Sequence, residues 1–134
     1  MNKSAIITAK FINRCVITPS MELLIIKKVI ESQRKELEEK FLKETILQRK
    51  SLSSAIRFLQ SPNILTILGV RRCGKSIAAV LLAREMNQAF GYINFDDERI
   101  GDIKAQDLDK ILQAFYELYG EIGLIILDEP QNVG

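Results

Sequence analysis

The sequence predicts an α/β fold, in which a parallel β-sheet is flanked by helices and preceded by a helical N-terminal segment. From residue 62 onward, short apolar runs typical of buried strands alternate with longer segments whose apolar residues follow helical spacing. This β-α-β-α-β alternation favours parallel strands joined by crossover helices. A glycine-rich motif at residues 69–76 lies between the first of these strands and the first of these helices, where such a fold binds phosphate.

The first 20 residues give mixed signals. Ile6 and Ile7 form a short apolar stretch typical of a strand, and Pro19 marks a turn before the next segment. We expect residues 1–20 to be a leader or a poorly ordered segment, and Met21 is an alternative start of the chain.

Residues 21–61 are predicted to form a helical segment. Apolar residues recur at roughly helical spacing from Met21 onward, with acidic and basic residues alternating between them. This pattern predicts one long, largely exposed helix that breaks near Lys43. A shorter helix follows and ends before Pro62, because proline lacks a backbone donor and restricts its neighbour. The apolar positions of the two helices are Leu23, Ile26, Ile30, Leu37 and Phe41, and then Leu52, Ala55, Ile56 and Leu59.

The remaining residues, 62–134, contain the alternating pattern. Gly120 is expected to cap the second helix of this region, whose apolar stripe runs from Leu108 to Tyr119. The predicted strands are residues 64–68, 92–96 and 124–127, and the predicted helices are residues 75–88 and 107–119.

The strongest chemical signal is "GVRRCGKS", residues 69–76, which matches the phosphate-loop pattern G-x-x-x-x-G-K-[ST]. Gly69 and Gly74 let the backbone approach phosphate closely, and the loop amides face the phosphates together with the positive end of the next helix. Lys75 brings a positive charge to the β- and γ-phosphates, and the Ser76 hydroxyl is a ligand for Mg²⁺. The predicted nucleotide-binding residues are Gly69, Val70, Arg71, Arg72, Cys73, Gly74, Lys75 and Ser76.

The second chemical signal is "LIILDE", an apolar run that ends in two carboxylates. Asp128 is placed to hold the Mg²⁺ that Ser76 also binds. Glu129 is placed to orient or deprotonate an attacking water. We therefore predict Glu129 and Lys75 as catalytic residues, and Ser76 and Asp128 as metal ligands.

Two further groups of charged residues have open roles. Asp96, Asp97 and Glu98 follow the second predicted strand, and an acidic loop is favoured over a second metal or substrate site. Arg71 and Arg72 either steer anions toward the phosphate loop or pair with this acidic loop, and the sequence does not choose between them.

Composition excludes several classes of site. The chain has no histidine, which excludes a Ser-His-Asp triad and a His-ligated zinc within it. Cys15 and Cys73 are far apart, and no apolar run is long enough for a membrane span, so a cytoplasmic protein is expected. Residues 1–61 hold 12 Lys and Arg against 6 Asp and Glu. This basic half is interpreted as a solvated helix surface, with DNA or a protein partner as the alternative.

Three stretches, "ILTILGVRRCGKS", "YINFDDERI" and "LIILDEPQNV", resemble the prokaryotic, largely archaeal ATPases of the AAA+ superfamily in sequence and order. The resemblance covers about residues 44–134 and implies a P-loop NTPase fold that binds ATP and Mg²⁺. It implies residues 69–76 as Walker A and Asp128 with Glu129 as Walker B. Pro130 departs from the pattern, since another apolar residue is usual at that position.

The resemblance also implies a strand with a polar γ-phosphate sensor between the strands of the two motifs, and the sequence contains no such strand. Residues 62–134 are therefore expected to be a partial P-loop ATPase domain with an empty slot in its sheet, in the N-terminal fragment of a longer protein. ATP hydrolysis that drives an attached domain is expected in that parent, and whether the parent is a monomer or a homo-oligomer stays open. A nucleotide-binding switch with little turnover and an inactive truncated product remain alternatives, and a P-loop kinase is less favoured.

Overall fold

The computed structural model describes residues 3–8, 21–43, 52–61 and 64–134. Strands and helices alternate through most of the C-terminal part, as the sequence predicts. Single 3₁₀ turns at Glu98–Ile100, Ala105–Asp107 and Pro130–Asn132 lie in the connections. The strands and helices of the described residues are β1 (Lys3–Thr8), α1 (Met21–Lys43), α2 (Leu52–Leu59), β2 (Ile64–Gly69), α3 (Lys75–Glu85), β3 (Phe90–Asn94), α4 (Leu108–Tyr119) and β4 (Leu124–Asp128).

The four strands form one sheet in the order β2-β1-β4-β3. β3 and β4 are parallel, whereas β1 is antiparallel to both β2 and β4. β2, β3 and β4 therefore point the same way, and their carboxyl ends lie at one edge of the sheet. The slot between β2 and β4 that was expected to be empty is filled by β1, because an antiparallel strand satisfies the backbone donors and acceptors of both neighbours.

The N-terminal strand includes Ile6 and Ile7, the pair whose apolar character indicates a short strand. Its pairing runs over its whole length with β2, from Lys3 opposite Gly69 to Thr8 opposite Ile64. The prediction that residues 1–20 are a leader or poorly ordered falls partly on residues 1–2 and 9–20, which lie outside the described residues, whereas residues 3–8 form β1.

Helix α1 ends at Lys43, where a break is predicted, and about half of its described residues are exposed. One of its faces is buried against α4 and β3, since its apolar positions follow the helical period along most of its length. The buried residues of α1 are Leu23, Ile26, Val29, Ile30, Gln33, Leu37 and Phe41.

The core lies in two layers on opposite faces of the sheet. One cluster joins the C-terminal half of α1 to α2, α3 and the side chains of Phe90, Tyr92 and Ile126. The other joins the N-terminal half of α1 to α4 and the side chains of Ile93 and Ile125. Successive strand residues face opposite layers, so β3 contributes to both clusters.

Several boundaries differ from the prediction, chiefly at α3 and at β3, which begins at Phe90 and not at 92. α3 ends at Glu85, before the predicted 88, and Asn87 then has a positive φ of 49°. β3 ends at Asn94, whose side-chain oxygen accepts a hydrogen bond from the Asp96 N–H at 2.9 Å and turns the chain. Gly120 caps α4 as predicted, with a φ of 71°. No helix in the described ranges is long and apolar enough to cross a lipid bilayer.

Candidate nucleotide-binding site

The carboxyl ends of β2 and β4 bring the two predicted motifs to one edge of the sheet. β2 ends at Gly69, the first residue of the phosphate loop, and β4 ends at Asp128, the first of the acidic pair. Asn94, the last residue of β3, lies opposite Asp128 in the parallel register. Ligands of open α/β sheets bind outside the carboxyl ends of their strands, so this edge is where a site is expected.

The phosphate loop is a tight turn between β2 and α3. Arg72 and Gly74 have left-handed backbones, with φ of 63° and 83°. A Cβ atom added to Gly69 would lie 2.6 Å from Sγ of Cys73, so a larger residue at this position would displace the Cys73 side chain. The Cys73 N–H donates to the Val70 carbonyl at 3.3 Å and closes the turn. The backbone therefore already has a curved form of the kind that presents amides to an anion.

Lys75 is the first residue of α3 and is buried, with 6% of its surface exposed. Its Nζ donates to the Val70 carbonyl at 2.9 Å, which folds the side chain back over the loop. A buried ammonium needs hydrogen-bonding or charged partners, and one carbonyl leaves donors for more. A phosphate at this loop would supply the anionic partner.

Ser76 and Asp128 come into direct contact although they lie on separate motifs. The Ser76 hydroxyl donates a hydrogen bond to Oδ2 of Asp128. Asp128 is 2% exposed, at the end of a strand buried in the centre of the fold. The residues that the sequence suggests as the two metal ligands are thus neighbours.

Tyr92 is a site residue that sequence reasoning missed. Its hydroxyl donates to Oδ2 of Asp128 at 2.9 Å, and the phenol lies in the core. Burial raises the pKa of Tyr92, and the charge of Asp128 raises it further, so the phenol stays a donor. The contact follows from the strand register of the folded sheet, in which Tyr92 lies opposite Ile126, two residues before Asp128 and on the same face.

Glu129 follows β4 and adopts a left-handed backbone, with φ 54° and ψ 45°. Its Oε2 accepts a hydrogen bond from Nε2 of Gln131 at 2.5 Å. The Asn132 N–H donates to the Glu129 carbonyl at 3.1 Å and closes the 3₁₀ turn. This sharp turn holds the Glu129 side chain beside the end of β4, and it gives Gln131 a contact that the sequence left unassigned.

A set of polar contacts connects the phosphate loop to the ends of β3 and β4. The guanidinium of Arg71 lies 3.3 Å from Oδ2 of Asp96. Asn132 donates through Nδ2 to the other oxygen of Asp96 at 3.2 Å. Of the two roles left open for Arg71, the structure contains the pairing with the acidic loop. Arg72 is exposed on the loop.

A comparison with known protein families identifies this arrangement. The model of the AAA domain matches residues 61–134, which is more than half of the chain. The chain belongs to the AAA domain family. The match confirms the resemblance and the α/β fold, and it spans both motifs. No curated protein and no solved structure matches the chain significantly.

Within the AAA domain, Asp97 of the acidic loop after β3 makes contacts that stabilise the loop. Asp97 accepts hydrogen bonds from the Arg99 N–H at 3.0 Å and from its guanidinium at 2.6 Å, and one from Gln33 at 3.0 Å. The bond from Arg99 lowers the pKa of Asp97 well below its usual range, against the opposing effect of burial. These contacts fix Asp97 in the loop, which agrees with the favoured interpretation of an acidic loop.

The residues of the AAA domain suit Mg²⁺ bound together with a nucleotide. Ser76 and Asp128 offer hard oxygen ligands, and Mg²⁺ commonly takes one or two protein oxygens with substrate phosphates and water. Oδ1 of Asp128 is buried and has no hydrogen-bond partner among the described residues. Among the residues that the structure describes, no cluster of three or more His, Cys, Asp or Glu side chains is arranged to hold a metal by itself.

Proposed function

We propose that the chain binds ATP with Mg²⁺ at the phosphate loop and the acidic pair, and that a longer form of the protein hydrolyses the ATP. The observation that supports this most directly is the hydrogen bond from Ser76 to Asp128. It joins a phosphate-loop residue to a strand-end carboxylate from a distant part of the sequence. Membership of the AAA domain family supports the same activity.

The residues of the two motifs divide between phosphate binding, metal binding and water activation. The amides of residues 69–76 and the ammonium of Lys75 bind the phosphates. Ser76 and Asp128 hold Mg²⁺, which when bound neutralises phosphate charge. Glu129 orients the attacking water and accepts its proton, because its carboxylate directly follows the proposed metal ligand Asp128 at the end of β4. Arg71 either stays with Asp96 or moves to the phosphates when nucleotide binds.

A second candidate is a nucleotide-binding switch with little turnover. The hydrogen bond from Gln131 to Oε2 of Glu129 favours it, because this bond occupies one oxygen of the proposed base. DNA or protein binding by the basic N-terminal half, homo-oligomerisation and a cytoplasmic location stay predictions.

Replacing Lys75 with alanine tests the ATP site. We expect the affinity for ATP to fall by about 10–100-fold, since a charge-assisted hydrogen bond contributes about 1.5–3 kcal/mol. Isothermal titration calorimetry with Mg-ATP measures the dissociation constant. Lys28→Ala is the matched control, because Lys28 is an exposed lysine on α1, outside the phosphate loop. Equal affinities of Lys75→Ala and the unaltered chain would show that the phosphate-loop assignment is wrong.

A further inference from the structure

Tyr92 has no part in the function proposed above, yet it contacts the centre of the site. It lies in β3, is 6% exposed, and packs with Phe90, Ile126 and Leu82 in one core layer. A phenylalanine would fill this apolar position as well as tyrosine does. The hydroxyl is instead directed to a carboxylate, which it reaches at 2.9 Å.

Two donors from different elements meet on one oxygen of Asp128. Ser76 donates from the first turn of α3, and Tyr92 donates from the middle of β3. The other oxygen, Oδ1, is buried without a hydrogen-bond partner among the described residues. A carboxylate held by two donors at one oxygen has a fixed plane, and its second oxygen retains its lone pairs.

The donor from Tyr92 differs in kind from that of Ser76. A serine hydroxyl has one proton and two lone pairs, so Ser76 can ligate a cation while it donates to Asp128. The position of the Ser76 hydroxyl then depends on the bound cation. Tyr92 donates to the same oxygen from a strand whose register with β4 is fixed by five residue pairs. The Tyr92 bond therefore comes from a group that is not itself a proposed ligand of the cation.

We infer that Tyr92 is a positioning residue: its hydroxyl holds the carboxylate of Asp128 in the orientation that serves a divalent cation bound with the nucleotide. This inference rests on the proposed function. Residues that hydrogen-bond to metal ligands orient them, and their loss typically costs 10–100-fold in metal affinity or activity.

The test compares Tyr92→Phe with the unaltered chain. Phenylalanine retains the ring that packs in the core and removes one hydroxyl, so the variant is expected to fold. The chain is loaded with ATP and titrated with Mn²⁺, and electron paramagnetic resonance counts the free ion. We expect the affinity for Mn²⁺ to fall by about tenfold. Affinity for ATP in the presence of EDTA is expected to stay within about twofold, since the phosphate loop is unaltered.

Tyr119→Phe is the matched control, because it removes the same hydroxyl from a partly buried tyrosine of α4 in the other core layer. It is expected to leave both affinities unchanged. An unchanged Mn²⁺ affinity in Tyr92→Phe would overturn the inference while leaving ATP binding intact. Equal losses of ATP affinity with and without the cation would assign Tyr92 to packing alone. If the unaltered chain does not bind ATP, the proposed function fails and the inference fails with it.

Discussion

Single residues at the site adopt backbone conformations that their side chains alone do not favour. Glu129 and Arg72 are left-handed, which costs a non-glycine residue about 1–2 kcal/mol. At Glu129 the surroundings offset this cost, since its carbonyl accepts the Asn132 N–H and its carboxylate accepts the Gln131 amide. Strain of this kind is common where a residue must be presented at a site, and here it presents the proposed water-activating carboxylate.

Replacing Glu129 with glutamine separates the two candidate functions. If the protein is a hydrolase, turnover is expected to fall by about 10²–10⁴-fold, because the amide cannot accept a proton from water. ATP affinity is expected to stay within about threefold, since Glu129 is outside the phosphate loop. Phosphate release from the chain and from an extended form of it measures turnover. Glu121→Gln, an exposed position before β4, is the control.

The results for Glu129→Gln distinguish a hydrolase from a nucleotide-binding switch. Loss of ATP binding in Glu129→Gln would contradict its role as a water activator. Slow turnover in the unaltered proteins that the substitution does not change would instead favour the nucleotide-binding switch.

At the scale of elements, α1 crosses the open edge of β3. Its N-terminal half packs in the layer of α4, and its C-terminal half packs in the layer of α3. Where it crosses, Gln33 pairs with the backbone of Asn94, accepting from its N–H at 2.9 Å and donating to its carbonyl at 3.0 Å. Arg34 donates to the Phe90 carbonyl at 3.1 Å and lies over its ring. The helix thus satisfies backbone groups that an edge strand would leave open.

Gln33→Ala is expected to lower the free energy of unfolding by about 1–3 kcal/mol. The substitution removes both partners of a part-buried backbone unit at the end of β3, and unsatisfied groups of this kind carry their full desolvation penalty. Urea unfolding measures the change as a lower midpoint at an unchanged slope.

Gln113→Ala is the control, because the Gln113 side chain donates to Glu117 on the same helix at 2.8 Å. Such helix-surface pairs contribute about 0.2–0.5 kcal/mol. Equal destabilisation by the two substitutions would mean that the pairing with Asn94 contributes little.

At the scale of the whole molecule, the antiparallel strand β1 connects the two halves of the site. It pairs with β2, which leads into the phosphate loop, and with β4, which ends at Asp128. β2 and β4 make no direct pairing with each other in the described sheet. The spacing between the phosphate loop and the acidic pair is therefore set through β1 and through the Ser76–Asp128 contact.

Ile6→Pro is expected to destabilise the fold by about 1–3 kcal/mol, because proline cannot donate to the ladder of a central strand. Ile6 lies opposite Thr66 on one side and Leu127 on the other. Ile6→Val is the control, since it keeps the backbone donor and the β-branched side chain. Thermal unfolding by circular dichroism measures both. If the proline variant is as stable as the valine variant, β1 is not needed for the sheet.

The sequence by itself determined the parts of the protein that depend on neighbouring residues. The phosphate loop is recognisable because eight consecutive residues carry its backbone and charge requirements. Helix stripes and the Gly120 cap are likewise local, since helical hydrogen bonds join residues four apart. The acidic pair was predicted from its position after an apolar run together with the phosphate loop that precedes it in the sequence.

The tertiary structure alone decided which elements meet. The place of β1 depends on strand pairing between residues about sixty or more positions apart, which no local pattern encodes. The sequence predicts a largely exposed α1 because charged residues alternate along it. That one face of α1 covers the edge of β3 depends on the tertiary structure. The contact of Tyr92 with Asp128 arises only when parallel register brings two strands side by side. The sequence supplied the chemical groups of the site, and long-range pairing set their relative positions.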